Sequence, residues 1–246
     1  MILTIARREI ISMFLSPMAW VILAVIQAIL GWMFLAQIES FFLLQPQLIQ
    51  LENTPGVTDV VVAPIFSLAA IILLMIMPLI TMRSLAEEKK NKTLTLLLSA
   101  PISITQLVLG KFVGLLYFIL ILVGMLMLMP LSLYLGTELD HGKLLSIALG
   151  MILLLGSFAS IGLYLSSLTD NQTIAAVSTF GALLMLWIIE WQGAKQTVFH
   201  YLSILTHHQP LLEGVFNSAD VSYFLLIMVL FIGLTIRQLD GDRLQH

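Results

Sequence analysis

The side chains that could carry catalysis are scattered along this chain. One apolar stretch holds several hydroxyl groups, at Ser146, Ser157, Ser160, Ser166 and Ser167. A serine hydrolase also needs a histidine to accept the serine proton, yet the pair His207-His208 lies in a polar loop outside every apolar stretch. That pair could ligate a metal, although an ordinary polar loop is the simpler interpretation. The chain has no cysteine, which excludes disulfides, thiolate zinc sites and iron–sulfur clusters.

The overall composition indicates whether this chain is a soluble protein or a membrane protein. Its 246 residues are 59% hydrophobic and only 10% charged, with a mean hydropathy of +1.04. Soluble domains carry about 25% charged residues, and a soluble chain of this length could not bury so much apolar surface. The sequence therefore predicts an integral membrane protein.

Six apolar stretches predict an all-α fold with six transmembrane helices, in a single domain over residues 1–246. A helix needs about 20 apolar residues to cross the hydrocarbon core, and the predicted spans are 17–36, 60–82, 112–135, 144–168, 173–189 and 221–236. None of them contains Asp, Glu, Lys, Arg or His. Ionisable groups at membrane depth are usually functional. Their absence argues against a proton-coupled carrier, a charged-filter channel and an intramembrane protease.

The basic residues predict the orientation. Six spans place both termini on one side of the membrane, together with the segments 83–111 and 169–172. These inner segments hold nine basic residues: Arg7, Arg8, Arg83, Lys89, Lys90, Lys92, Lys111, Arg237 and Arg243. The outer segments hold only Lys143 and Lys195. By the positive-inside rule both termini are cytoplasmic, and we expect a multi-pass protein of the bacterial inner membrane.

Amphipathic segments flank the spans. Residues 1–16 predict a helix lying in the membrane interface, since the charges of Arg7, Arg8 and Glu9 group on one side and Pro17 breaks the helix; a cytosolic extension of the first span is the alternative. Residues 37–59 predict an apolar outer loop touching the membrane surface. Residues 190–220 predict short helices in the outer interface, with Trp187 and Trp191 at headgroup level, or else an ordinary surface loop.

Small residues recur along the fourth predicted span. Gly150, Gly156 and Gly162 are regularly spaced, with alanine and serine between them. Small residues allow helices to approach closely in lipid. We expect a helix-packing surface, either inside the subunit or at a dimer interface.

The inner segment 83–111 combines charge with a short leucine-rich patch. We expect the second span to continue as a helix to Asn91, and the third helix to start near Ile104, because Ser103 and Gln106 fit a capping box. Between them, residues 93–99 predict a short exposed helix. Its leucine face would fit a groove on a partner protein; packing against its own bundle or lipid headgroups is the alternative.

This segment resembles the loop after the second span of ABC-2-type ABC transporter permeases. The matching positions are Arg83, Leu85, Ala86, Glu88, Thr93, Leu97, Leu98, Pro101, Gly110 and Lys111. Lys92 replaces the glycine usual before the threonine. Residues 166–176 also resemble the family's turn between spans four and five, and the span order agrees over nearly the whole chain. A narrower resemblance, to the gliding-motility-type branch, is carried by residues 14–20 and 207–225.

The resemblance implies a permease subunit of an ATP-driven transporter, acting as an exporter. It implies a cytosolic ABC ATPase partner and a second permease subunit, with a periplasmic accessory protein and membrane lipid as further partners and no nucleic acid. The ATPase would bind the ATP, so no cofactor, metal or catalytic residue is expected in this chain. The implied ATPase-docking residues of the coupling helix are Glu87, Glu88, Thr93, Leu94, Leu96, Leu97, Leu98 and Pro101. The alternative is a non-transporting complex that passes a mechanical signal to a periplasmic partner.

Overall fold

The structure, a computed structural model, describes residues 1–48, 56–93, 102–135, 139–189 and 203–244. Helices dominate these ranges, and the described residues contain no strand. The α-helices are α1 (Ile2–Leu15), α2 (Pro17–Leu48), α3 (Ala63–Lys90), α4 (Ile104–Ser132), α5 (His141–Ser167), α6 (Gln172–Ile188), α7 (Ile204–Leu212) and α8 (Ser218–Leu244). A π-helical turn, Thr58–Val62, leads into α3, and a 3-10 turn, Leu133–Leu135, follows α4.

Five helical segments of the described chain are long and apolar enough to cross a membrane. They are Pro17–Pro46, Thr58–Lys90, Ile104–Ser132, His141–Ser167 and Ser218–Arg243. The remaining predicted span, 173–189, corresponds to α6, an apolar helix of 17 residues. Helices suit this setting because lipid offers backbone groups no hydrogen-bond partners, so each segment must satisfy its own. The prediction of an all-α membrane protein is confirmed.

Helix α5 lies at the centre of the bundle. Of its most apolar window, 72% is buried inside the protein, against 28% for α2 and 22% for α8. It contacts α3, α4, α6, α7 and α8. Its side chains are therefore surrounded by protein, whereas α2 and α8 expose much of their surface.

Two helix boundaries agree with their local sequence signals. Ser16 is extended, with ψ of 131°, and separates α1 from α2, which begins at Pro17. Ser103 caps α4, where its Oγ accepts a hydrogen bond from the backbone N–H of Gln106 at 3.2 Å. The predicted break at Ser16-Pro17 and the predicted start near Ile104 are confirmed.

The predicted outer loop at residues 37–59 is wrong over its first half. Helix α2 continues without interruption to Leu48. Between Gln37 and Gln45 the sequence has no glycine or proline to break it, and Ser40 bonds back to the carbonyl of Ala36 at 2.9 Å without disrupting the helix. The drop in hydropathy at Gln37 therefore does not mark the end of the helix.

Candidate functional site

A buried lysine joins three helices near the point where α3 ends and α4 begins. Lys111 is only 2% exposed, and its Nζ donates to Glu88 Oε1 at 2.9 Å and to the Ser84 carbonyl at 2.7 Å, both on α3. It also donates to Glu9 Oε2 of α1 at 3.3 Å. A buried cation must be paired and hydrogen-bonded to be tolerated. Lys111 meets that condition with all three of its N–H donors, which fixes α1, α3 and α4 relative to one another.

Two glycines of α4 let α1 reach this lysine. A Cβ at Gly110 would lie 2.7 Å from Cβ of Ile5, and a Cβ at Gly114 would lie 2.9 Å from Cβ of Glu9. Only hydrogen fits at either place, so α1 lies directly against the α4 backbone. Sequence reasoning missed this contact, although the spacing of Gly110 and Gly114 is the small-xxx-small pattern that marks close helix packing.

A second lysine connects α3 to α5 and α8. Lys89 Nζ donates to the Ser167 carbonyl at 2.5 Å and to Asp242 Oδ2 at 2.6 Å. One turn away, the buried Ser166 Oγ accepts from the backbone N–H groups of Leu85 (3.2 Å) and Ala86 (2.9 Å). Together with the Lys111 contacts, these bonds link the middle of α1 to the ends of α3, α4, α5 and α8. We call this set of contacts the junction.

The three glycines predicted as a packing surface contact helices of the same chain. A Cβ at Gly150 would lie 2.9 Å from Cβ of Leu211 on α7, and one at Gly156 would lie 2.8 Å from Cε of Met228 on α8. A Cβ at Gly162 would lie 2.6 Å from Cβ of Thr81 on α3. Each glycine thus admits a different neighbour to the central helix, and Gly162 does so next to the junction.

Only some of the predicted docking residues lie within the described ranges. Glu88 points into the protein toward Lys111, while Glu87 and Thr93 line a cavity beside it. Thr93 also donates to the Glu88 carbonyl at 3.3 Å. The other predicted docking residues, Leu94, Leu96, Leu97, Leu98 and Pro101, lie outside the described residues.

The family model for ABC-2 family transporter proteins matches residues 3–238, from the second residue of α1 into the last turns of α8. The chain belongs to this family. No curated protein matches it. Membership makes the chain a membrane permease component of an ABC transporter, one that works with an ABC ATPase subunit.

The permease departs from the expected family loop at Lys92, and the backbone explains why glycine is usual there. Lys92 has φ of +55°, the one non-glycine residue with positive φ among the residues described. This left-handed conformation suits glycine, which lacks the Cβ that makes it unfavourable for other residues. The turn at the end of α3 therefore keeps the geometry that a glycine would give, despite the lysine.

The opposite end of the permease holds the two adjacent histidines. His207 Nδ1 pairs with Asp220 Oδ1 at 2.6 Å, and its ring stacks on Tyr223. His208 is 1% exposed beside Gly150, and neither of its ring nitrogens has a hydrogen-bond partner in the described part of the chain. Burial lowers the pKa of His208 to about 4. Within the described ranges, no three side chains of the metal-binding types come together around either histidine.

Proposed function

We propose that this permease is the transmembrane subunit of an ATP-driven exporter, and that its 83–111 segment receives the motion of the ATPase. The observation that carries this proposal is that two lysines of that segment, Lys89 and Lys111, are bonded to other helices. Each is bonded to helices far away in sequence. A displacement of the segment would therefore move several helices at once.

The path into the bundle is short and polar. Lys111 transmits a displacement to α1 through Glu9, and Lys89 transmits it to α8 through Asp242. Ser166 bonds α3 directly to the last turn of α5, the central helix. A rearrangement driven by differential contacts needs such discrete, directional links between packed elements. These contacts support the segment as the coupling element.

The docking surface is tested by a triple substitution. Leu96, Leu97 and Leu98 changed together to alanine should abolish co-purification of the ATPase, since they are proposed to fill a groove on it. The matched control changes three exposed leucines of α8, Leu225, Leu226 and Leu230, which should leave the complex intact. An ATPase that still co-purifies with the first variant would disprove the docking site.

Orientation and assembly complete the proposal. Both termini lie in the cytoplasm of a bacterium, α6 completes a sixth span, and two permease subunits form a homo- or heterodimer. The nine inner basic residues against two outer ones support the orientation. Alkaline phosphatase, which is active only outside the cytoplasm, should be inactive when fused after residue 244 and active when fused within residues 190–202.

The gliding-motility-type resemblance stays a prediction.

One observation favours the alternative, a complex that passes a mechanical signal to a periplasmic partner. Helix α2 has 32 residues and is therefore about 48 Å long, against a hydrocarbon core of about 30 Å. The far end of α2 exposes Phe42, Leu43 and Leu44. A long helix with an apolar tip on the outer side could contact an accessory protein there.

Transport measurements separate the two functions. The permease and its ATPase are reconstituted together in vesicles, and ATP-dependent accumulation of amphiphilic substrates is measured alongside ATP hydrolysis. Accumulation supports the exporter. Hydrolysis that responds to the permease while no substrate accumulates, and that changes when Phe42, Leu43 and Leu44 are replaced by serine, supports the signalling complex.

A further inference from the structure

A cavity of about 430 Å³ opens beside the junction, between α1, α2, α3 and α4. Cavities of roughly 300–1,000 Å³ are the usual size for small-ligand sites. Its polar wall carries six charged side chains, three cationic and three anionic: Arg8, Arg83, Lys111, Glu9, Glu87 and Glu88. Its other walls are apolar, formed by residues that include Ile22 and Phe118. The function proposed above does not account for this cavity.

The cavity changes from apolar to charged along one direction. On α3 the lining runs from Leu79 to Glu87, eight residues or about 12 Å. On α4 it runs from Phe118 back to Lys111, seven residues or about 10 Å. The two helices thus place their apolar lining residues at one end and their charges at the other. This gradient matches an amphiphile that stands with its headgroup at the junction.

Two buried polar atoms of the lining residues have no partner. Ser84 is 3% exposed and its Oγ makes no hydrogen bond, and Glu88 Oε2 is likewise buried and unbonded, within the part of the chain that the structure describes. Leaving a buried polar atom unsatisfied is costly. Both atoms belong to residues of the charged wall. Neither atom is accessible to water, so they mark this wall as polar surface that the protein itself leaves uncompensated.

The unused charges of the wall indicate what that group is. Lys111 is already matched by Glu9 and Glu88. Arg8 and Arg83 form no ion pair with any described residue, nor does Glu87. The wall therefore offers guanidinium donors to an anion and carboxylate acceptors to a cation, with no net charge overall. That pattern fits a zwitterion better than an anionic headgroup.

We propose that this cavity binds an amine-bearing zwitterionic phospholipid, of the phosphatidylethanolamine class, from the leaflet in which α1 lies. Arg8 and Arg83 hold the phosphate, because guanidinium groups bind phosphate oxygens strongly. Glu87 accepts from the primary ammonium, which has three N–H donors, and the neighbouring Glu88 adds negative charge to the same wall. A quaternary ammonium has no N–H and cannot make these bonds. The acyl chains leave along the apolar walls between α2 and α3.

Lipid binding to the full-length chain, purified without any ATPase, tests this proposal independently of the transport function. The delipidated chain is given phosphatidylethanolamine, phosphatidylcholine and phosphatidylglycerol with identical acyl chains, and retained lipid is counted by native mass spectrometry. Phosphatidylethanolamine should be retained on the order of tenfold better than either of the others, since each lacks one charged hydrogen-bonding group. Soluble glycerophosphoethanolamine should compete weakly, because it cannot use the apolar walls.

Neighbouring arginines provide the matched control. Arg8→Gln and Arg83→Gln should each lower phosphatidylethanolamine retention several-fold, whereas Arg7→Gln, next to Arg8 but outside the cavity, should not. Glu87→Gln should reduce the preference over phosphatidylcholine. Equal retention of phosphatidylethanolamine and phosphatidylcholine, or equal effects at Arg7 and Arg8, would overturn the proposal. If Arg83→Gln does not fold, the lipid comparison and the Arg7/Arg8 pair still decide.

Discussion

The two ends of the bundle use charge differently. At the junction, Lys111 and Lys89 connect five helices, and Lys111 does so while almost completely buried. At the opposite end, charged pairs join two elements at a time: Lys143 of α5 with Asp59 before α3, and His207 of α7 with Asp220 of α8. The Asp59 side chain is 46% exposed. We infer that the junction moves as one unit, whereas the opposite end can yield locally.

Removing the buried cation should have the largest effect. Lys111→Ala leaves the half-buried Glu9 and Glu88 without their counter-charge, and breaking a fully buried ion pair from one side costs about 3–5 kcal/mol, which sets the upper bound for this loss. Thermal unfolding of the purified chain in mild detergent should show that loss. Lys90→Ala, an exposed lysine at the end of α3, is the control and should change stability by less than about 0.5 kcal/mol. Equal effects of the two variants would remove the contrast between the ends.

The sequence predicted the local features of the junction but not its connections. Proline after Ser16 and the hydroxyl of Ser103 act on their own helix ends, so both boundaries could be predicted. Lys111 was predicted as a basic residue on the inner side and as a matching position of the family loop, with no partner assigned to it. Its partner Glu9 is 102 positions away, and no periodicity within α1 or α4 specifies that pairing. The spacing of Gly110 and Gly114 in α4 could have indicated a close helix contact, which was missed, but it would not have indicated which helix makes it.

Glycine substitutions along α5 compare the packing at the two ends. Gly162→Ala would press a methyl group against Thr81, a β-branched residue whose hydroxyl is bonded to the Met77 carbonyl. We expect a loss of about 1–3 kcal/mol, as for other overpacked sites. Gly150→Ala should cost less, because its nearest neighbour is on the short helix α7.

Thermal unfolding of both variants measures the difference, with Gly181→Ala as control, since among the residues described no atom outside the local α6 backbone lies within 4 Å of a Cβ placed there. A larger loss at Gly150 than at Gly162 would contradict the view that the junction is the more rigid end.

Acid should weaken the opposite end through His208. Its folded-state pKa of about 4 lies below the value of 6.5 expected without burial, so the unfolded chain binds the proton more readily. The stability that depends on His208 staying neutral is present above pH 6.5 and is lost as the pH falls toward 4. Between pH 7 and pH 5 the free energy of unfolding should fall by about 2 kcal/mol from this group. His208→Leu, which cannot titrate, should flatten that part of the profile; an unchanged profile would refute the assignment.

The smallest effect is expected where charge is most exposed. Asp59→Asn removes the ion pair with Lys143, of which the Asp59 side chain is 46% exposed and the Lys143 side chain 11% exposed; pairs open to solvent contribute about 0–1 kcal/mol. The loss should shrink further in 1 M salt, because the Debye length there is about 3 Å, whereas the effect of Lys111→Ala should persist. A salt-insensitive loss at Asp59 as large as that at Lys111 would mean that the opposite end is held as firmly as the junction, and that a push on the 83–111 segment meets equal resistance along the whole bundle.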